Sequence, residues 1–147
     1  MEGQTQDCLN ALEGELLQGN LARPFRGVSI NSRTVAKGEL FICIKGDQFD
    51  GHDFLTDVIE KKVGGIILSD PEKLPSKPIR NEEEPFVIHV QDTLKALQNL
   101  ASFQRKRFPF QVVAVTGTNG KSTTKEMIAS ILETKFKTLK TQGNLNN

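Results

Sequence analysis

Apolar residues along the chain fall into short runs separated by polar and glycine-rich stretches. Four runs, residues 28–30, 40–44, 65–68 and 86–90, are rich in β-branched or aromatic types and predict strands. Between the second and third, residues 53–62 place Phe54, Leu55, Val58 and Ile59 on one helical face, which predicts a strand-helix-strand unit. Near the N-terminus Cys8, Leu9, Leu12 and Leu16 recur at helical spacing and Gly19-Asn20 closes the segment, so residues 7–17 read as a helix. Residues 69–85 carry four prolines and the acidic run Glu82-Glu83-Glu84 without periodicity, the pattern of a surface loop.

Asp92 stands where an N-cap belongs for a helix over residues 93–108, with Leu94, Leu97, Leu100 and Ala101 as its buried side. Arg105-Lys106-Arg107 then compensates the negative end of the helix dipole, and Pro109 stops the helix. Residues 110–115 are apolar apart from Gln111, as expected of a parallel strand buried on both faces. The fold class that follows is α/β: a small mixed α/β domain over 1–109, then the start of a parallel-sheet domain over 110–147.

That last strand runs into Thr116-Gly117-Thr118-Asn119-Gly120-Lys121-Ser122-Thr123, and a helical pattern with Met127, Ile128, Ile131 and Leu132 on one face follows. Strand, glycine loop and helix are the context of a phosphate-binding loop. Gly117 and Gly120 can take backbone angles barred to other residues, which turns successive N–H groups toward phosphate oxygens. The helix start contributes its dipole, Lys121 reaches the β- and γ-phosphates of ATP, and the Ser122 hydroxyl ligates Mg²⁺. The usual pattern has a glycine five residues before Gly120, where this chain has Val115.

Charge and cysteine content narrow the remaining chemistry. Nineteen lysines and arginines against eighteen aspartates and glutamates leave no field that would favour nucleic acid or an anionic membrane. Cys8 and Cys43 are the only cysteines; neither sits among metal ligands, and both are expected to be buried reduced thiols. His52 alone makes no metal site. The first ten residues lack the pattern of a secretory signal, and no apolar stretch approaches the length of a membrane span, so a cytoplasmic protein is expected.

The variant loop, with glycine only at its inner positions, resembles the ATP loop of the Mur ligases and of the related folylpolyglutamate synthetases. Val28-Ser29-Ile30-Asn31-Ser32-Arg33-Thr34, then Gly38-Glu39-Leu40-Phe41, then Lys45 through Phe54, resemble the N-terminal domain of the MurE and MurF branches. The closing Gly143-Asn144-Leu145-Asn146-Asn147 resembles the MurF branch. This resemblance covers nearly the whole chain. It implies an ATP-dependent amide ligase of peptidoglycan precursor synthesis that adds D-Ala-D-Ala to UDP-MurNAc-tripeptide through an acyl phosphate. It also implies that the first domain binds the UDP end of the substrate, with Ser32, Arg33, Lys45, Gly46, Asp47 and Gln48 as candidate contacts. Arg33 can offer a fork of hydrogen bonds to a diphosphate, and Ser32, Asp47 and Gln48 suit the edges of uracil and ribose. Asn144, Asn146 and Asn147 are candidates for the sugar-phosphate part. Asp50-Gly51-His52-Asp53 reads equally as a turn that caps the following helix. Asn31 stands where the family usually has aspartate.

Family members continue well past the Gly-Asn-x-Asn-Asn motif, and the groups that complete their metal site lie there. The resemblance thus implies an N-terminal piece, inactive alone, in which residues 110–147 are loosely ordered or pack on a neighbour. Two alternatives remain: the MurE branch, which adds the third amino acid, and a non-catalytic module that binds UDP or another nucleotide.

Overall fold

The computed structural model describes residues 1–75 and 84–142 and divides into two compact units, Met1–Pro109 and Phe110–Asn147. Glu82, Glu83, Asn144, Asn146 and Asn147, singled out above, lie outside the described residues.

The first unit is built on a five-stranded sheet. Strands β1 (Glu2–Gln4), β2 (Gly14–Gln18), β3 (Pro24–Arg26), β4 (Val28–Ser29), β5 (Leu40–Ile42), β6 (Gly65–Leu68) and β7 (Phe86–Val90) alternate with helices α1 (Thr5–Ala11), α2 (Leu55–Glu60) and α3 (Thr93–Lys106). The sheet order is β2-β7-β6-β5-β4; the four strands from β4 to β7 run parallel, and β2 pairs antiparallel to β7 at the edge. β1 and β3 form a separate antiparallel pair.

Successive side chains of a strand point to opposite faces, and both faces of this sheet are covered. Leu40 and Ile42 of β5, Ile67 of β6, and Phe86, Ile88 and Val90 of β7 pack with Cys8 and Leu12 and with Ala96 and Leu100 of α3. The alternate positions Phe41, Ile66, Leu68 and Val87 pack with Leu55 and Val58 of α2. Buried on two sides, the central strands read as continuous apolar runs, which is why the sequence located β6 and β7 to the residue. At Gly65 a Cβ atom would stand 2.2 Å from the Phe86 ring, so the strand can cross that ring only with glycine.

Two expectations for this unit are corrected. The helix over residues 7–17 ends at Ala11, and Gly14–Gln18 is the edge strand β2. Leu12 and Leu16 lie four apart, a spacing that satisfies both the helical period and two strand repeats, so the sequence cannot separate them. The decision is made by β7: a Cβ at Gly14 would lie 2.8 Å from the His89 carbonyl oxygen, so close pairing needs glycine there. In α3 the buried stripe is Thr93, Ala96 and Leu100, with Leu97 partly buried; Leu94 and Ala101 are exposed.

Other expectations hold. Asp92 Oδ1 accepts the Lys95 N–H at 2.9 Å and caps α3, and at the far end Arg105 Nη1 donates to the Phe108 carbonyl at 3.1 Å. Cys8 and Cys43 are buried free thiols. Burial, with Asp7 beside one and Asp50 beside the other, pushes each thiol up to about 12.

Among its described residues the second unit contains one helix, α4 (Lys121–Glu133), and the chain on either side of it. Residues 110–115 are not a strand, and Val112 and Val113 are 64% and 60% exposed. An isolated extended segment has no ladder to join, and among the described residues of this unit no second strand lies beside it. The expected apolar face of α4 is half realised: Ile128 and Leu132 are partly buried, while Met127 and Ile131 are exposed.

Candidate functional site

The glycine loop has the backbone that phosphate binding requires. Gly117 has φ 146° and Gly120 φ 76°, both in the region that side chains disfavour. A Cβ at Gly120 would meet nothing within 4 Å, so it is backbone angle rather than crowding that calls for glycine here. Gly120 caps α4 and its carbonyl accepts the first helical bond, from Thr124 N–H at 2.9 Å. The N–H groups of Lys121, Ser122 and Thr123 therefore precede the intrahelical ladder, at the positive end of the helix dipole. Lys121 folds back over the loop, its Nζ donating to the carbonyls of Gly117 at 2.5 Å and Thr118 at 3.3 Å. A full positive charge thus stands at the loop mouth beside that first turn. Residues 116–123 thus combine left-handed glycines, a helix start and an ammonium group, features that suit a nucleotide phosphate chain.

Downstream, Lys125 Nζ donates to the Thr141 carbonyl at 2.6 Å, and Lys140 Nζ pairs with Glu126 at 2.7 Å. The second pairing holds the Glu126 carboxyl below its usual range through Lys140 and then Lys125. These contacts bring the segment leading to residue 142 alongside the first turns of α4. Among the described residues no three His, Cys, Asp or Glu side chains gather into a metal site, and Ser122 is the second residue of α4, directly after Lys121.

In the first unit, the predicted Ser32 and Arg33 line an open cleft of about 720 Å³ together with Phe54, Asp57, Glu60 and Lys61. The turn that presents them is organised by Asn31. Its Oδ1 accepts the Arg33 N–H at 3.0 Å, and its main-chain carbonyl accepts Thr34 N–H at 3.3 Å and Val35 N–H at 3.0 Å. An amide oxygen performs this task as well as a carboxylate would, so the departure from the family's aspartate leaves the turn intact. Lys61, which the sequence did not single out, donates from Nζ to the carbonyls of Ser32 at 2.6 Å and Arg33 at 2.8 Å.

Lys45, Gly46, Asp47 and Gln48 are not among the residues lining that cleft. They form a separate exposed turn closed by the Lys45–Asp50 bridge and by Gly46 N–H donating to the Phe49 carbonyl at 2.9 Å. The following Asp50-Gly51-His52-Asp53 is a helix-capping turn. Asp50 Oδ1 accepts both the His52 N–H at 3.0 Å and the ring Nδ1 at 2.5 Å, while Lys73 bridges Asp50 and Asp53. Burial opposes the charge on Asp50, but the His52 backbone N–H, the ring and Lys73 outweigh it and hold the carboxyl well below its usual range.

Ser69 Oγ lies 3.4 Å from His52 Nε2, which with Asp50 gives the composition of a hydrolytic triad. Its Nε2, however, accepts the Ser69 backbone N–H at 3.0 Å. The ring nitrogen that would serve as base is occupied by a main-chain donor, and His52 is a buried tie between the turn and β6.

Comparison with known proteins agrees with these features. Residues 24–105 match the model described as Mur ligase family, catalytic domain, and residues 115–147 match the Mur ligase middle domain. A UDP-N-acetylmuramoyl-tripeptide–D-alanyl-D-alanine ligase of Bacillus subtilis is 39% identical over 139 residues, which is 90% of this chain and 29% of that protein. A crystal structure of MurF from Acinetobacter baumannii superposes with a TM-score of 0.83 at 32% identity, covering 100% of this chain and 31% of that one. The MurF ligase of Thermotoga maritima, solved in complex with ADP, gives a TM-score of 0.67 at 33% identity over 82% of this chain and 26% of its own. This chain therefore spans about three-tenths of the length of the relatives it matches. Its sheet of mostly parallel strands is the fold of those structures, and with more than half its residues under one family model the chain belongs to the Mur ligase family.

Proposed function

We propose that this chain supplies the UDP-substrate unit and the phosphate loop of a ligase that joins D-Ala-D-Ala to UDP-MurNAc-tripeptide in peptidoglycan precursor synthesis. The observation that carries the reading is Lys121, held over left-handed Gly120 at the head of α4 by the loop's own carbonyls. Support for the dipeptide as the amine substrate comes from the name of the Bacillus subtilis relative. In this reading residues 1–109 hold the UDP end through the Ser32–Arg33 turn and the turn formed by Lys45, Gly46, Asp47 and Gln48, and residues 110–147 hold ATP.

When bound, Mg-ATP supplies the phosphoryl group that activates the peptide carboxylate for attack by the amine. The residues of this chain would position and neutralise charge: the amides from Gly117 to Thr123 would cradle the phosphates, the Lys121 ammonium would neutralise the β- and γ-phosphates, and the Ser122 hydroxyl would serve as a metal ligand. The relatives are about three times as long as the stretch matched here, and in this reading the reaction takes place in the cytoplasm.

A longer protein carrying this sequence is expected to release ADP only when given both UDP-MurNAc-tripeptide and D-Ala-D-Ala. Lys121→Ala should lower that turnover by roughly a hundred- to a thousandfold, the scale for losing one group that stabilises transition-state charge. ADP release with a diamino acid and UDP-MurNAc-dipeptide would assign it to the MurE branch. Release with glutamate and a folate would reject the reading, as would full activity without the Lys121 ammonium.

A further inference from the structure

The cleft beside the Ser32–Arg33 turn contains a cation whose role neither the motifs nor the fold explains. Lys61 is the C-terminal cap residue of α2; its backbone N–H donates to the Asp57 carbonyl at 3.3 Å. Its side chain leaves the helix and spends two of its three ammonium protons on the Ser32 and Arg33 carbonyls, 29 and 28 residues earlier in the chain. The next residue, Lys62, has φ 58°, a left-handed angle unusual for a side-chain-bearing residue. That conformation lets the Lys62 carbonyl accept the Gly38 N–H at 3.0 Å, which fixes the end of α2 against the chain entering β5. The end of α2 that carries Lys61 is therefore tied by hydrogen bonds on both sides.

Two consequences bear on ligand binding. First, Asn31 holds the N–H groups of Arg33, Thr34 and Val35, and Lys61 holds the carbonyls of Ser32 and Arg33; no ion pair within the described residues holds the Arg33 guanidinium itself. Second, the lining carries two cations, Arg33 and Lys61, and two carboxylates, Asp57 and Glu60. With Lys61 the cleft is electrically balanced; without it the carboxylates outnumber the cations and a diphosphate would be repelled.

Building on the functional reading above, we propose that Lys61 is a positioning residue for a nucleoside diphosphate: it fixes the turn that presents Arg33 and offsets the two carboxylates, so the cleft accepts the phosphate groups. The test is titration calorimetry of this chain with UDP and, separately, with uridine, at two salt concentrations. Lys61→Met should weaken UDP roughly tenfold, about one charge-assisted contact, and leave uridine within about twofold, with the larger UDP loss at low salt. Lys61→Arg keeps the charge and two donors and should restore the preference for UDP over uridine. A merely structural lysine would lower the melting temperature and weaken both ligands by one factor, and that result overturns the proposal, as does unchanged UDP affinity in Lys61→Met. Arg33→Ala separates the two levels. If the unaltered chain fails to bind UDP, or binds it equally without Arg33, the UDP reading of this unit falls; if Arg33→Ala weakens UDP and Lys61→Met does not, only the role of Lys61 falls.

Discussion

The two units of this chain handle apolar sequence in opposite ways. In Met1–Pro109, runs such as Phe86–Val90 and Gly65–Leu68 find strands on both sides and helices above and below, and all their apolar side chains are buried. In Phe110–Asn147, an equally apolar run at residues 110–115 stays exposed, and α4 buries only Ala129 completely. Composition does not separate these cases. A strand is stable only when its N–H and C=O groups are paired and its faces covered, so the same local pattern succeeds or fails according to whether partners are within reach. The glycine loop escapes this dependence, because its geometry rests on glycine angles and a helix start, which are local properties.

Three measurements can break or sharpen that contrast. The largest effect should come from Phe86→Ala, which empties the space between the first cluster and the Phe25 ring, 6.1 Å away in edge-on contact. A loss of about 3–5 kcal/mol is expected, read from urea unfolding or from amide exchange of β6 and β7. A loss below about 1 kcal/mol would mean that the sheet is far less tightly packed than described.

Acid should act next, through Asp50. A carboxyl held below its ordinary value contributes stability that is complete above the unfolded value of 3.8 and is lost as pH falls through the lower folded value. The first unit should therefore lose stability below about pH 4, and Asp50→Asn should flatten that part of the pH profile while lowering stability at neutral pH. If both proteins follow one acid curve, the His52 and Lys73 contacts contribute nothing to folding.

The smallest effect should be Ile131→Ser in α4. This side chain is 68% exposed, so its replacement should change the stability of this chain by no more than about 0.5 kcal/mol, against several for any buried isoleucine of β6. In a longer protein carrying the whole middle domain, the same substitution tests whether further sheet and helix cover that face: a large loss there and none here would show that the exposed apolar positions of this unit await partners.

The amino-acid sequence by itself determined the central strands, α3 with its Asp92 cap, the two buried thiols and the phosphate loop, because each depends on neighbours within a few residues or on burial from both sides. Only the tertiary structure decided that Gly14–Gln18 is a strand, since Leu12 and Leu16 suit either period and the partner β7 lies some seventy residues away. It also decided that Leu94 faces solvent and that residues 110–115 form no strand. The site divides on the same line: Ser32 and Arg33 were legible as a motif, while Lys61 was one lysine among many. Its meaning comes from the folding of α2 against the turn, which lets a single ammonium reach two adjacent carbonyls nearly thirty residues earlier in the chain.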